Sequence, residues 1–193
     1  VSRFIGQRWI SEIGFTIMTT WVALLRGINV GGQKKLPMAS LVEVCMGLWP
    51  ESTPRTYIAS GNLIFDATGD STTLATELGA VINAKFGFEV LVSVTEAGAF
   101  QKLVKTCPYA GTNGKGVHGF FCFTVPSPNW DHINKLKVGG EAIEVYHNIV
   151  WLHTPQGIGK SKLANALTAT MGHAPMTARN MNTLKKLSEM LDG

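Results

Sequence analysis

The chain has 193 residues and a formal net charge of +4, from 17 lysines and arginines and 13 acidic residues. Hydrophobic residues make up 45% of the chain and charged residues 16%, which excludes an intrinsically disordered protein and supplies enough apolar side chains for a core. This net charge is compatible with an anionic ligand, but it is well below the density of positive charge that is typical of a dedicated nucleic-acid-binding protein.

The cysteine pattern and the hydropathy indicate the compartment. Cys45, Cys107 and Cys122 are far apart, which disfavours a disulfide framework and a structural zinc site and favours a reducing cytoplasm. No apolar run approaches the roughly 18 residues of a membrane span, so no membrane association is expected. Residues 1–17 lack the pattern of a secretory signal, and we expect them to be a leader outside the native protein, which then starts at Met18.

Periodicity predicts the order β-α-β-β-α-β for residues 18–106, followed by a linking helix. The predicted elements are a buried strand at 21–25, a helix at 38–48, a hairpin at 55–66, a helix at 74–86, a strand at 88–94 and the linking helix at 96–105. The hairpin turn is expected at Ser60-Gly61-Asn62, where small and turn-forming residues interrupt two β-type runs.

A similar pattern recurs in residues 107–193. It comprises a strand at 117–125, a weak helix at 129–137, a hairpin at 141–153, a helix at 161–172, a short extended segment at 176–178 and a final helix. The fold class expected is therefore α+β, with two tandem ferredoxin-like units and additional helices.

The first unit is expected to present polar groups at one end. In an antiparallel βαββαβ unit, the exit of the first strand, the start of the first helix and the hairpin turn share that end. Glycines permit a close backbone approach, and a helix N-terminus favours an anion. The residues gathered there are Arg26, Asn29, Gly31, Lys34 and Lys35, with Ser60 and Asn62 on the hairpin.

This end has an alternative interpretation with no ligand. Gly31 and Gly32 then make a simple turn, the lysines are solvated, and Asn62 adopts a left-handed conformation for the hairpin.

Two later segments also indicate anion binding, but more weakly. Residues 153–163, HTPQGIGKSKL, place Lys160 and Ser161 between a strand and a helix, but position 154 is Thr where a Walker loop requires Gly. The segment predicts either a simple anion site or a helix capped by Ser161. Arg179, in TARN, is expected to reach either a ligand anion or an internal acid.

Catalysis, metal or cofactor binding and RNA recognition have little support in the sequence. No metal-ligand spacing, cofactor motif or nucleophile–base pair is visible, so catalytic residues are unknown and an enzyme site assembled only in space stays open. RNA-recognition modules share the βαββαβ order, and Tyr57, Phe65 and GFFCF at 119–123 are aromatic strand positions. The RNP pattern itself is not met.

Four segments together carry a family resemblance. These segments are ALLRGINVGG with KKLPM, RTYIASGNLIF, GIGKSKL and TARNMNTLKKL. Over about residues 20–191 the chain resembles the bacterial family called domain of unknown function 1697. The resemblance implies a small cytoplasmic α+β protein with ferredoxin-like units, and it implies no reaction. The function expected first is therefore binding of a small phosphorylated or nucleotide-like anion, with nucleic-acid binding as the alternative.

Overall fold

A computed structural model describes residues 17–192 of the chain, so residues 1–16, most of the expected leader, lie outside the described residues. The eight strands are β1 (Thr19–Leu25), β2 (Arg55–Thr56), β3 (Asn62–Ala67), β4 (Val92–Glu96), β5 (Val117–Cys122), β6 (Ala142–Tyr146), β7 (Ile149–His153) and β8 (Met176–Asn180). The seven α-helices described are α1 (Met38–Leu48), α2 (Ser71–Phe86), α3 (Ala97–Lys105), α4 (Trp130–Leu136), α5 (Lys162–Asn165), α6 (Leu167–Thr170) and α7 (Met181–Leu191).

The strands form two four-stranded antiparallel sheets, with the order β2-β3-β1-β4 in the first and β6-β7-β5-β8 in the second. In the first sheet β1 is central, and Trp21 pairs with Phe65 on β3 and Glu96 on β4. In the second sheet β5 is central, and Gly119 pairs with Trp151 on β7 and Arg179 on β8. The protein is therefore α+β, as the sequence predicts.

Three apolar clusters divide the molecule into layers. The first lies between the first sheet and helices α1 and α2, and the third between the second sheet and helices α4 to α6. The central cluster joins the halves, because Val22 and Leu24 of β1 pack in it with Phe121, Trp151 and the α7 residue Leu184. Alternate β1 side chains enter different clusters, as the two-residue period of a strand requires.

Three predicted elements differ in detail from those observed. The strand expected at 88–94 begins only at Val92, because Phe88 and Val90 are partly buried side chains that pack on the first cluster outside the ladder. The helix expected at 161–172 is two short helices interrupted at Ala166. Asn62 is the first residue of β3, and the left-handed conformation falls on Gly61, with φ 80°.

Among the described residues, none of the helices combines the length and the apolarity that crossing a bilayer demands.

Candidate functional site

The exit of β1 and the tip of the first hairpin lie side by side, which confirms the predicted common end. The amide of Leu25 donates to the Gly61 carbonyl at 2.8 Å, and Asn29 Nδ2 donates to the Ala59 carbonyl at 2.8 Å. A Cβ on Gly61 would lie 2.8 Å from Leu25 Cβ, so glycine is required for this close approach.

The glycine loop after β1 is itself a small hairpin. Gln33 N donates to the Val30 carbonyl at 3.1 Å, and Asn29 N donates to the Lys34 carbonyl at 3.1 Å. Gly31 and Gly32 between them have φ 59° and 75°, the left-handed values that a two-residue hairpin turn needs. These two glycines are thus explained by the turn, as the alternative without a ligand predicts. Asn29 links this loop to the hairpin tip at residues 59–62, and we call the loop and the tip together the rim.

Asn29 makes more internal contacts than the sequence suggests. Its Nδ2 also donates to the Leu36 carbonyl at 2.9 Å, and its Oδ1 accepts from the Leu36 amide at 2.8 Å. Asn29 therefore holds both ends of the glycine loop, and its amide group is already occupied.

Arg179, on β8 of the second sheet, contacts the same rim. It is buried, and Nη2 donates to the carbonyls of Leu25, Ser60 and Gly61 at 2.8–3.0 Å. Its Nε donates to Asn62 Oδ1, and Nη1 donates to Thr177 Oγ1 and the Ala178 carbonyl, both at 2.8 Å. No nitrogen of the guanidinium is left for a direct ligand contact, so Arg179 is a bridge from β8 to the first half.

Burial lowers the pKa of the Arg179 guanidinium to about 10. Within residues 17–192 the only ion pairs are Lys85–Glu43 and Lys186–Glu189, so this cation has no carboxylate partner there. Carbonyl dipoles solvate it, and a net positive charge stays under the rim.

Asn62 is fully buried and completes the hairpin tip. Its Nδ2 donates to the Tyr57 carbonyl at 2.8 Å and to Ser60 Oγ at 3.0 Å, while its Oδ1 accepts from Arg179. Of the two predicted hairpin residues, only Ser60 is exposed to a ligand.

Three exposed cations lie at the rim, on and beside the glycine loop. Arg26 Nε donates to the Met176 carbonyl at 3.0 Å, and its two Nη groups have no hydrogen-bond partner among the described residues. Lys34 Nζ donates to the Glu89 carbonyl at 2.7 Å and lies 5.9 Å from the centre of the Phe88 ring. Neither these two residues nor Lys35 forms an ion pair in the described part of the chain.

An open groove of about 800 Å³ adjoins this rim. One wall contains Arg26, Gly27 and Lys34, the floor is the segment 89–92, and the opposite wall is the outer side of α2. The α2 wall consists mainly of small and polar residues, namely Ala75, Thr76, Gly79, Ala80 and Asn83. This groove is the best candidate for a ligand site, because its volume suits a small molecule and its two cations, Arg26 and Lys34, form no ion pair in the described residues; Glu89 is the one acidic residue in its lining.

The α2 wall was missed by the sequence reasoning. Thr76, Ala80 and Asn83 follow the spacing of one helix face, but a run of small and polar residues is also typical of any solvated helix. Only the packing of α2 beside β4 shows that these residues face the cations.

Lys160 and Ser161 do not line this groove. Ser161 is buried and its Oγ accepts from the Ala164 amide at 2.9 Å, so it caps the short helix α5. Lys160 and Ser161 contribute instead to a cavity of about 40 Å³ beside Val138 and Gln156. That volume holds a water molecule or so, and the segment behaves as the capping alternative predicts.

Burial disfavours the reactive thiolate form of all three cysteines. Burial raises the pKa of the thiols of Cys45, to about 12, and of Cys122, to about 11, and it also raises that of Cys107. In the described residues, no group of three His, Cys, Asp or Glu side chains is placed to hold a metal ion.

Four of the five aromatic residues considered for RNA stacking lie in the apolar clusters, and Phe123 is half-buried outside them. Phe65, Phe120 and Phe121 are buried, and Tyr57 is partly buried against the central cluster. Stacking on bases requires exposed aromatic faces, so a sheet-surface platform of the RNA-recognition type has no exposed ring at these positions.

Comparison with known proteins now adds the family. Residues 18–151 match the model of the family described as Protein of unknown function (DUF1697), which is more than half of the chain. The chain belongs to the DUF1697 family. Two of the four segments that carry the resemblance, GIGKSKL and TARNMNTLKKL, lie beyond the matched residues of this DUF1697 protein. No curated protein matches the chain.

One solved structure similar to the DUF1697 chain is described as "conserved bacterial protein SP0830 from Streptococcus pneumoniae". The two share 22% sequence identity with a TM-score of 0.71, and the similarity covers 92% of this chain and 100% of the other. At this identity the likeness concerns the fold alone. It extends over both sheets, whereas the family match ends at Trp151.

Proposed function

We propose that this DUF1697 protein binds a small phosphorylated or nucleotide-like anion in the groove between the glycine loop and α2. The observation that carries the proposal is that Arg26 and Lys34 line a groove of about 800 Å³ and lack ion-pair partners among the described residues. A groove of this size accommodates a nucleotide or a sugar phosphate. Arg26 and Lys34 contact the anion in this proposal, and Lys35 adds charge at the rim.

The buried charge of Arg179 supports the same assignment. A cation removed from water without an acidic partner makes the nearby surface favourable for an anion, since carbonyl dipoles solvate the charge but do not neutralise it. Arg179 contacts the carbonyl of Leu25, the residue directly before Arg26. It therefore acts through space, while Asn29 and Asn62 fix the backbone of the rim.

We further infer that the two sheets are tandem ferredoxin-like units, 18–106 and 107–193. The support is that each sheet has the strand order that a βαββαβ unit requires, with its first strand between its third and its fourth. In each half a further helix, α3 or α7, packs in the central cluster.

A thermal-shift screen of nucleotides and sugar phosphates tests the anion site. A ligand present at one hundred times its Kd stabilises the chain by about 2.7 kcal/mol, which corresponds to roughly 5–10 °C for a protein of this size. We expect the double variant Arg26→Ala, Lys34→Ala to lose most of this shift, since it removes both groove cations.

The matched control is Lys160→Ala, Lys162→Ala, which removes two exposed charges outside the groove. It should keep the full shift. Equal shifts for the two double variants would place the anion elsewhere, and the absence of any stabilising compound would refute the proposal.

A further inference from the structure

The groove lies at the start of a strand edge that no other strand of the described residues covers. β4 is an edge strand of the first sheet, and within residues 17–192 it pairs only with β1. The amide of Arg26 donates to the Leu91 carbonyl, so the backbone groups of Leu91 face β1. Because these groups alternate along a strand, those of Ser93 and Thr95 also face β1, and those of Val92 and Val94 face outward.

The groove meets this edge at the first residue of β4. Val92 lines the groove together with Val90 and Leu91, and Leu91 is 44% exposed. On α2, Gly79 lies beside this segment, since a Cβ there would make an ordinary contact of 3.4 Å with the Val90 carbonyl oxygen. A trench between a helix and an unpaired strand edge is the setting in which extended peptides add to a sheet.

The charges of the groove indicate a direction for such a peptide. Arg26 and Lys34 lie at the start of β4, where Arg26 is bonded to Leu91 and Lys34 to Glu89. A strand added antiparallel to β4 runs from Glu96 towards Val92, so its carboxyl end arrives at these cations. A free C-terminal carboxylate is complementary to them.

We propose that this groove binds the extended C-terminal segment of a peptide, which pairs with the free edge of β4 and places its terminal carboxylate at Arg26 and Lys34. This proposal rests on the proposed anion site, because it uses the same two cations, and it goes beyond it by placing a peptide carboxylate there instead of a phosphate. β4 is five residues long, so the paired segment has about five residues and spans roughly 17 Å.

Two pools of fluorescent random pentapeptides, one with free C-termini and one amidated, provide the test. Peptides selected from the free-carboxylate pool on the full chain are measured by fluorescence anisotropy. We expect at least a tenfold loss of affinity on amidation and on N-methylation of alternate peptide amides. The variant Val92→Pro should cause a similar loss, because it removes an outward N–H at the first residue of an edge strand, where proline is tolerated.

The control is Lys160→Ala, Lys162→Ala, which lies outside the groove and should bind within about twofold of the wild type. Circular dichroism establishes whether Val92→Pro is folded; if it is not, the N-methylated peptides tested on the wild type decide the same question. Selection of no peptide, or affinity that is insensitive to both N-methylation and Val92→Pro, would overturn the proposal.

The outcome also separates the two proposals. If nucleotides or sugar phosphates stabilise the wild type and no peptide binds, the peptide proposal fails and the anion site stands. If peptides bind equally well after amidation and to the Arg26→Ala, Lys34→Ala variant, the carboxylate contact fails and with it the role assigned to these cations.

Discussion

Arg179 lies where the two halves of the chain meet, and each guanidinium nitrogen donates to an internal acceptor. The carbonyls of Leu25, Ser60 and Gly61 would lose this donor if the side chain changed. The Leu25 carbonyl would keep Thr177 Oγ1 as a donor and the Gly61 carbonyl would keep the Leu25 amide. The loss is therefore that of hydrogen bonds from a charged group, which contribute about 1.5–3 kcal/mol each. The planar fork of arginine, with five donors, can satisfy such a set, whereas the single ammonium of lysine cannot.

The variant Arg179→Lys therefore keeps the charge but should lower the free energy of unfolding by on the order of 3 kcal/mol. Urea denaturation measures the change. Arg55→Lys, at an exposed position of β2, is the control and should change stability by less than about 0.5 kcal/mol. Equal effects of the two substitutions would show that the fork of Arg179 contributes little.

Residue-scale roles were the hardest to predict from the sequence. That Asn29 and Asn62 meet one rim follows from the predicted strand order, and Asn29 indeed reaches the hairpin tip. That Arg179 lies beneath the rim depends on how the two sheets pack, and 117 residues separate it from Asn62. No local pattern carries that information, so the sequence could not decide between a ligand contact and an internal bridge.

Helix α2 forms one wall of the groove, and its start is fixed by Asp70. The carboxylate of Asp70 accepts from the amides of Thr72 and Thr73 at 2.9 and 3.0 Å and from the Thr73 hydroxyl at 2.7 Å. Bonds from Thr73 are the largest reason why the pKa of Asp70 lies below its ordinary value of 3.8. The N-cap therefore prefers the charged carboxylate.

A depressed carboxyl pKa stabilises the fold above the pKa of the unfolded chain, and this contribution is lost as the pH falls through the folded value. We expect the wild type to lose more stability than Asp70→Asn between about pH 6 and pH 3, because asparagine caps the helix without titrating. Urea titrations over this range measure the difference. An Asp70→Asn protein with the wild-type pH profile would contradict the assigned cap, and the exposed Asp131→Asn is the control.

Helices and strands with a clear periodicity of apolar residues were predicted closely. Element boundaries that depend on tertiary packing were not. The helix at Met38–Leu48 and the hairpin strand Ile149–His153 agree with their predicted ranges. The interruption at Ala166 lies inside a continuous apolar pattern and has no glycine or proline to signal it. The predicted start of β4 was four residues too early, at 88 and not at Val92, because Phe88 and Val90 pack in a core without joining the sheet.

At the scale of the whole molecule, the central cluster makes the two sheets depend on each other. Val22 and Leu24 of the first sheet share it with Ile149 and Trp151 of the second. Burial of apolar side chains on both sides of one cluster couples the stability of the elements that contribute to it. The bridge from Arg179 to the first half strengthens this coupling.

The variant Leu24→Ala should reduce the free energy of unfolding by roughly 2–5 kcal/mol, since it empties a buried site in the central cluster. Hydrogen exchange should show the loss in both sheets, with the slowest amides of β5 and β7 affected as strongly as those of β1. Protection of β5 and β7 at the wild-type level would indicate halves that unfold independently. Leu74→Ala, in the first cluster, is the comparison for a core that the second sheet does not share.

Whether an anion binds beside the glycine loop is the central claim, and an amide NMR titration of the labelled chain with inorganic phosphate and with adenosine monophosphate tests it most directly. Saturable shifts should appear at Gly27, Lys34 and Leu91 and should be absent in Arg26→Ala, Lys34→Ala. Shifts confined to residues 160–163, or spectra that neither compound changes, would contradict the claim.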